Sequence, residues 1–234
     1  MSELWSQLAA RAQVELSTGQ IQRLNHYLDL LFAANATMNL TRITDRAAAE
    51  VQHVADALTV LPFLPKTPCD IADVGSGGGV PGLPLAIARP DAKVALIEST
   101  RKKAAFLQSA AQQLELSNVT VLALRAEEAG RGRHRESFDI AVARAVATLD
   151  WLAEWCLPLV KPGGAMLAMK GPKVREELEP AKRAIRACGG GEAALHPVDL
   201  PGAHEHLIVE IRKSARTRAD YPRDPTVAKG KPIK

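Results

Sequence analysis

The segment Asp70-Ile-Ala-Asp-Val-Gly-Ser-Gly-Gly-Gly-Val-Pro-Gly82 limits the fold of this chain more than any other. A short apolar run enters a turn holding Gly75, Gly77, Gly78 and Gly79, and a helix-like stretch opens near Pro81. Glycine permits positive φ and lets a ligand approach the backbone closely. A helix start adds unpaired amides and the positive end of a dipole. Strand, glycine turn and helix in that order predict a cofactor or nucleotide cradle at the carboxyl end of the first strand of an α/β sheet. The dinucleotide pattern Gly-x-Gly-x-x-Gly falls on Gly77, Gly79 and Gly82, out of phase with the strand. Gly75 directly follows the strand, and the third slot counted from it is Val80. Asp73 would oppose a pyrophosphate and suits a cationic ligand, such as one bearing an ammonium and a sulfonium. Both features disfavour a nicotinamide-dependent oxidoreductase. No Gly-x-x-x-x-Gly-Lys-Ser/Thr string supports P-loop chemistry.

The rest of the chain fits an α/β reading. The first 65 residues read as helical, with Ile21, Leu24, Leu28 and Leu31 on one face and Thr18 as a candidate cap. A second helical run follows Thr44 or Asp45, and prolines at 62, 65 and 68 mark a linker. Beyond Cys69, apolar runs at 71–74, 94–97, 119–122, 140–142 and 165–169 alternate with helix-like stretches at 82–89, 101–116, 149–160 and 173–187. That alternation predicts a mostly parallel sheet with helices on both faces. Residues 193–200 and 206–212, joined through Pro201-Gly202, predict a terminal antiparallel hairpin. The expected division is a helical N-terminal extension (1–65), a cofactor-binding domain (66–213) and a basic C-terminal tail (214–234).

Charge is unevenly spread. The formal net charge of +4 hides eight basic and two acidic residues from Arg212 to Lys234, against 22 basic and 24 acidic residues before them. A basic, proline-dotted tail is expected to be extended or disordered in isolation, and to be attracted to phosphate. No stretch approaches the roughly 20 apolar residues of a membrane span. Residues 1–20 lack the pattern of a secretory signal. Three scattered cysteines (Cys69, Cys156, Cys188) and six scattered histidines, including His204 and His206, predict no disulfide framework and no metal site. These features predict a cytoplasmic protein, and no long apolar surface stripe argues against a monomer.

The second apolar run ends at Glu98, 23 residues after Gly75, where an acid can accept both hydroxyls of an adenosine ribose. Asp73-x-Gly-x-Gly-x-Gly79 with that acid resembles the class I S-adenosylmethionine-dependent methyltransferases. An ordered set of strings narrows the likeness: Asn39-Leu-Thr41, His53-x-x-Asp56-x-Leu58, Asp73 to Gly82, Glu98-Ser-Thr-Arg-Lys-Lys-Ala-Ala-Phe-Leu107, Arg125-Ala-Glu127, Phe138-Asp139 with Ala143-Arg144-Ala145, Lys170-Gly171 and Tyr221-Pro-Arg223. Over roughly residues 20–234 this resembles the ribosomal RNA small subunit methyltransferase G family, also called glucose-inhibited division protein B. Glu98 stands where the family usually has Asp. Ala57 stands where it usually has Ser, so a hydroxyl role there is lost.

The resemblance implies a Rossmann-like class I methyltransferase fold with a seven-stranded sheet. It also implies a bacterial cytoplasmic enzyme that methylates N7 of one guanine in 16S ribosomal RNA, free or in the small subunit. The cofactor would be S-adenosylmethionine and its product S-adenosylhomocysteine, with no metal. Cofactor contacts are expected from Asp73, Gly75, Gly77, Gly79, Val80, Glu98 and Ser99, with Ala126 and Glu127 flanking the adenine. Neutral guanine N7 carries a lone pair and no proton, so no general base is expected, and catalysis rests on alignment. Arg144 is the expected positioning residue, reaching the cofactor, guanine O6 or a phosphate. RNA contacts are expected from Arg101, Lys102, Lys103, Lys170 and Arg223, with Arg131, Arg133 and Arg135 equally readable as a solvated loop. Trp151 and Trp155 read as core. His53 and Asp56 read as a side-chain pair or cap rather than a catalytic dyad, and Asp139, placed at the end of the fourth strand, as functional or as a buried or capping carboxylate. A small-molecule methyltransferase and a nonenzymatic RNA-binding module remain the alternatives.

Overall fold

The computed structural model describes residues 2–201, 203–228 and 230–233, with the backbone alone at 203–205. Gly202 of the expected hairpin turn, the side chain of His204, and Lys229 and Lys234 of the tail lie outside the described residues. Two helices open the chain, α1 (Ser2–Arg11) and α2 (Thr18–Met38). Ser17 rather than Thr18 caps α2. Its Oγ accepts the Gln20 amide at 3.3 Å, and Gln20 Oε1 accepts the Ser17 amide at 2.9 Å. This reciprocal pair satisfies two otherwise orphaned donors. Asp45 caps the next helix, its Oδ1 accepting from Ala48 N–H at 2.8 Å. That helix runs from α3 (Arg46–Ala49) through a π-helical turn (Glu50–Ala55) into α4 (Asp56–Leu58).

The sheet follows the expected alternation. Its strands are β1 (Asp70–Val74), β2 (Lys93–Ile97), β3 (Val119–Leu122), β4 (Phe138–Arg144), β5 (Val160–Lys170), β6 (Gly190–Leu200) and β7 (Ala203–Lys213). Their order is β3-β2-β1-β4-β5-β7-β6. The first five are parallel, and β7 runs antiparallel to both β5 and β6. The crossovers are α5 (Gly82–Ala88), α6 (Arg101–Gln113), α7 (Ala126–Arg131), α8 (Leu149–Cys156) and α9 (Val174–Ala187). Among these crossovers, only α7 has no counterpart in the sequence reading, which places a loop after the third strand.

Strand residues alternate between two cores, as the period of two requires. Ile71, Val94, Leu96, Ile140, Val142 and Leu167 face one layer, built from α1, α2, the π-turn helix, α5 and α6. Ala72, Val74, Ile97, Ala141, Ala143 and Met166 face the other, built from α7, α8 and α9. The N-terminal helices therefore share the core of the sheet. Trp5, Leu24, Tyr27 and Leu28 are all fully buried there.

The tail is folded, contrary to the expectation from its composition. A short helix, α10 (Pro225–Ala228), lies within it, and Thr217, Ala228 and Ile233 are buried. Among the described residues, several of its charges are engaged internally. Arg223 binds both oxygens of buried Glu154 at 2.8 and 2.6 Å. Arg131 pairs with Asp224, and Arg135 donates to the carbonyls of Thr217, Arg218 and Tyr221. The expected basic loop and basic tail thus bind to each other's backbone and acids. Trp151 and Trp155 are half-buried, with Arg223 lying over the Trp151 ring 5.8 Å from its centroid. Asp139 lies at the start of β4, on the edge opposite the glycine turn. There it accepts from Asp70 N–H and pairs with Lys161.

Removing one member of a buried ion pair leaves the other charge uncompensated. Arg223→Ala should therefore destabilise the fold by about 3 kcal/mol, read by urea denaturation. Adding Glu154→Gln to that variant should recover part of the loss.

Candidate active site

The parallel strands change direction of progression between β1 and β4, and the carboxyl ends of these strands open a crevice there. The glycine turn fills one side. Gly75 has φ +74°, and a Cβ at that position would come within 2.8 Å of Val146. Gly82 begins α5 against the sheet, where an added Cβ would run into Leu96 and meet Asp73 Oδ2 at 2.6 Å. Both positions exclude a side chain, one by backbone conformation and contact, the other by contact alone.

Asp73 sits beneath this turn, almost fully buried. Its Oδ2 accepts from Gly82 N–H at 3.1 Å and so caps α5, while its Oδ1 has no partner. Burial pushes its carboxyl up to about 7, with the Gly82 amide acting in the opposite direction. Asp73 thus supports the turn from below and does not line the cavity. Glu98 closes β2 from the side. Its Oε2 accepts from Gly77 N–H at 3.0 Å and its Oε1 from Thr100 N–H at 2.7 Å. From the other layer, buried Tyr27 donates its hydroxyl to Gly78 O at 2.9 Å. Burial holds the Tyr27 phenol far above its ordinary range.

Two adjoining cavities result. The first, about 360 Å³, is lined by Gly75 to Gly78, Val80, Glu98, Ser99, Lys103 and the residues of the boundary described below. Of the expected cofactor contacts, Gly75, Gly77, Val80, Glu98, Ser99 and Arg144 lie on its wall. Gly79 lies behind it, and Ala126 and Glu127 lie in the first turn of α7, beyond β3. The second cavity, about 710 Å³, adds Arg42, Ile43, Gln52, Asp56, Met169, Lys170 and His206.

Leu40, Thr41, His53, Arg144 and Ala145 belong to both walls. Arg144, the last residue of β4, donates to Gln52 O and to Asp56 Oδ2, and its Nη2 meets His53 Nδ1 at 3.0 Å. Asp56 Oδ1 meets His206 Nδ1 at 3.3 Å, and His53 Nε2 meets Thr41 Oγ1 at 2.9 Å. His53 and Asp56 therefore meet on Arg144, not on each other. The π-helical turn that carries His53 is what brings both to it; such turns gather at functional sites. Burial, then the Arg144 charge, lowers His53 to about 4, so its ring is neutral near pH 7. The Asp56 carboxylate raises His206. Thr41 and His206 have no assigned role in the sequence reading, although Thr41 stands in the Asn39-Leu-Thr41 string.

The remaining cations are divided. Arg101 and Lys102 are exposed at the start of α6, outside any ion pair among the described residues. Lys170 is held by Ala147 O and Glu177. Arg223 is held by Glu154, away from both cavities.

Comparison with known proteins settles the family. The family model described as rRNA small subunit methyltransferase G matches residues 20–207. The chain belongs to that family. It is 43% identical over 221 residues to the ribosomal RNA small subunit methyltransferase G of Roseiflexus sp. (strain RS-1), covering 94% of each chain. The protein of the same name from Pelotomaculum thermopropionicum is 40% identical over 237 residues, covering 100% of this chain and 99% of the relative. In fold, the chain is similar to the crystal structure of a SAM dependent methyltransferase from Aquifex aeolicus, with a TM-score of 0.52 at 18% identity. That match covers 74% of this chain and 96% of the other. The Rossmann-like reading of the sheet stands, and the chain is a methyltransferase of the rRNA small subunit family.

An acid whose folded-state pKa is raised favours the fold below its unfolded pKa, and that contribution is lost as pH rises through the folded value. Asp73 ionises against its burial between about pH 4 and 7. The Tm of Asp73→Asn relative to wild type should therefore shift upward from pH 5 to pH 8. A constant difference would show that Asp73 is already ionised at pH 5.

Proposed function

We propose that this chain transfers a methyl group from S-adenosylmethionine to N7 of a guanine in 16S ribosomal RNA. One observation carries the choice of atom: where the two cavities meet, each titratable side chain among the described residues is already committed to an ion pair or hydrogen bond. Arg144 is permanently protonated. Neutral His53 has one ring nitrogen facing the guanidinium and the other facing Thr41. Asp56 has one oxygen on Arg144 and the other on His206. Methylation of an amine or hydroxyl must dispose of a proton. Guanine N7 presents a lone pair and no proton, so the boundary need only align the reactants.

The first cavity suits the cofactor. Its volume lies within the range of small-molecule sites, and at Gly75 the bare backbone forms part of its wall. The backbone at Gly75, Gly77 and Val80 would hold the methionine portion. Glu98 and Ser99 would take the ribose, with the adenine toward Ala126 and Glu127. Glu98 keeps lone pairs beyond those used by Gly77 and Thr100. When bound, the cofactor supplies a methyl group on a sulfonium. The second cavity takes the nucleotide, with Arg144 clamping its O6 or a phosphate.

Phosphate contacts are assigned to Arg42, Arg101, Lys102, Lys103 and Lys170 around the two openings. Three cations at the start of α6 oppose its dipole, so helix stability does not explain them and anion binding does. Arg223 is left out of this surface.

The test is transfer of labelled methyl to small subunits and to free 16S RNA from a strain lacking the activity, followed by nucleotide mapping. Label on guanine N7 is expected; label on an exocyclic amine or a ribose would overturn the choice of atom. Arg144→Ala should lower transfer at least about 10-fold through lost alignment. Unchanged transfer together with unchanged cofactor affinity would remove Arg144 from the site. Arg101→Ala and Lys102→Ala should each weaken RNA binding and reduce its logarithmic salt slope by about 1.

A further inference from the structure

Thr41 is half-buried, and its hydroxyl lies where the two cavities share a wall. Two N–H groups converge on its oxygen. The Ile43 amide donates to Oγ1 at 3.0 Å. His53 Nε2 lies 2.9 Å away on the other side. The direction of that second bond is fixed by Arg144. An arginine can only donate, so His53 Nδ1, 3.0 Å from Arg144 Nη2, accepts. The ring is neutral, and its single proton is therefore on Nε2 and is given to Thr41.

A hydroxyl oxygen has two lone pairs and one proton. Both lone pairs of Thr41 are occupied. Its own proton has no protein acceptor among the described hydrogen bonds. An ordinary threonine can rotate to donate or accept as the ligand demands. Thr41 can only donate, toward the cavities.

We propose that Thr41 is the residue that reads the base: its hydroxyl donates to guanine O6 and excludes purines bearing an amine there. This assignment rests on the N7 reading above and sharpens it. Guanine presents N7 and O6 as acceptors on one edge, whereas adenine presents N7 beside an N6 amine donor. An enzyme that must leave N7 free for methylation retains only the group at position 6 to distinguish the two along that edge. A pure donor distinguishes them completely, because an amine facing it finds no acceptor. Its neutrality also suits the reaction. The base gains positive charge as N7 is methylated, and a cation held at O6 would oppose that charge more than a hydroxyl dipole would. The imidazole of His53 stands between Arg144 Nη2 and Thr41 Oγ1, so one oxygen cannot bond both at the usual distance of about 2.9 Å. With O6 on Thr41, Arg144 is left for the phosphate. His53 is a positioning residue, acting through Thr41.

The test uses small subunits reconstituted with 16S RNA carrying either guanine or 2,6-diaminopurine at the methylated position. Diaminopurine keeps N7 and the 2-amino group and replaces O6 by an amine. Wild type should prefer guanine by about 100-fold or more in kcat/KM, the scale of a lost directional contact to a base edge. Thr41→Val should lose about 10- to 100-fold on guanine and little on diaminopurine, so that the preference collapses. Thr41→Ser should keep it. Cofactor affinity, measured by calorimetry, should stay within a few-fold of wild type in both variants. Equal losses on the two bases, or an undiminished preference in Thr41→Val, would overturn the assignment while leaving N7 transfer in place. Failure of wild type to methylate the guanine at N7 would overturn both readings.

Discussion

Arg144 holds the two halves of the site in register. It ends a central strand, so its backbone is fixed by pairing with Met169 of β5. Its side chain reaches the N-terminal layer at Gln52, His53 and Asp56, and Asp56 extends the link to His206 on β7. A guanidinium has five donors in a rigid plane, which lets one residue fix the orientation of several groups at once. Breaking a half-buried pair of this kind leaves Asp56, almost fully buried, without its main cation. Both cavities share this contact as part of their common wall.

Much of this architecture is legible in the amino-acid order. The apolar runs mark the strands because parallel strands are buried on both faces and need continuous hydrophobicity. The glycine turn and Glu98 stand out because each breaks the pattern of the surrounding strand at the end where ligands bind. Other features are carried by tertiary contacts that sequence spacing does not encode. Asp56 and His206 are 150 residues apart, and Arg223 and Glu154 are 69 apart. Helix α7 has six residues, too few for a periodicity of 3.6 to show. The tail misleads for a related reason. Its composition is that of a disordered segment, but its ordering depends on Glu154, Glu136 and the Arg135 guanidinium, which lie in the body of the protein.

Asp73 is instructive in another way. A carboxylate beside a glycine turn reads as a partner for a cationic ligand, yet the structure directs one of its oxygens to the first amide of α5 and leaves the other unpaired. The acid still shapes the turn, through the hydrogen bond it accepts from Gly82. It does so as part of the scaffold.

The contact between Tyr27 and Gly78 has a consequence for how the molecule can be divided. The floor of the first cavity includes Leu31 and Leu40, and Gly78 packs on both. A catalytic unit cut at the start of the sheet would keep every strand and every glycine, yet it would lose the side chains that hold the turn in shape. The N-terminal helices thus supply part of the packing that holds the glycine loop. A segment grafted in place of the N-terminal helices would have to bring both a hydroxyl donor for Gly78 O and an apolar floor beneath it.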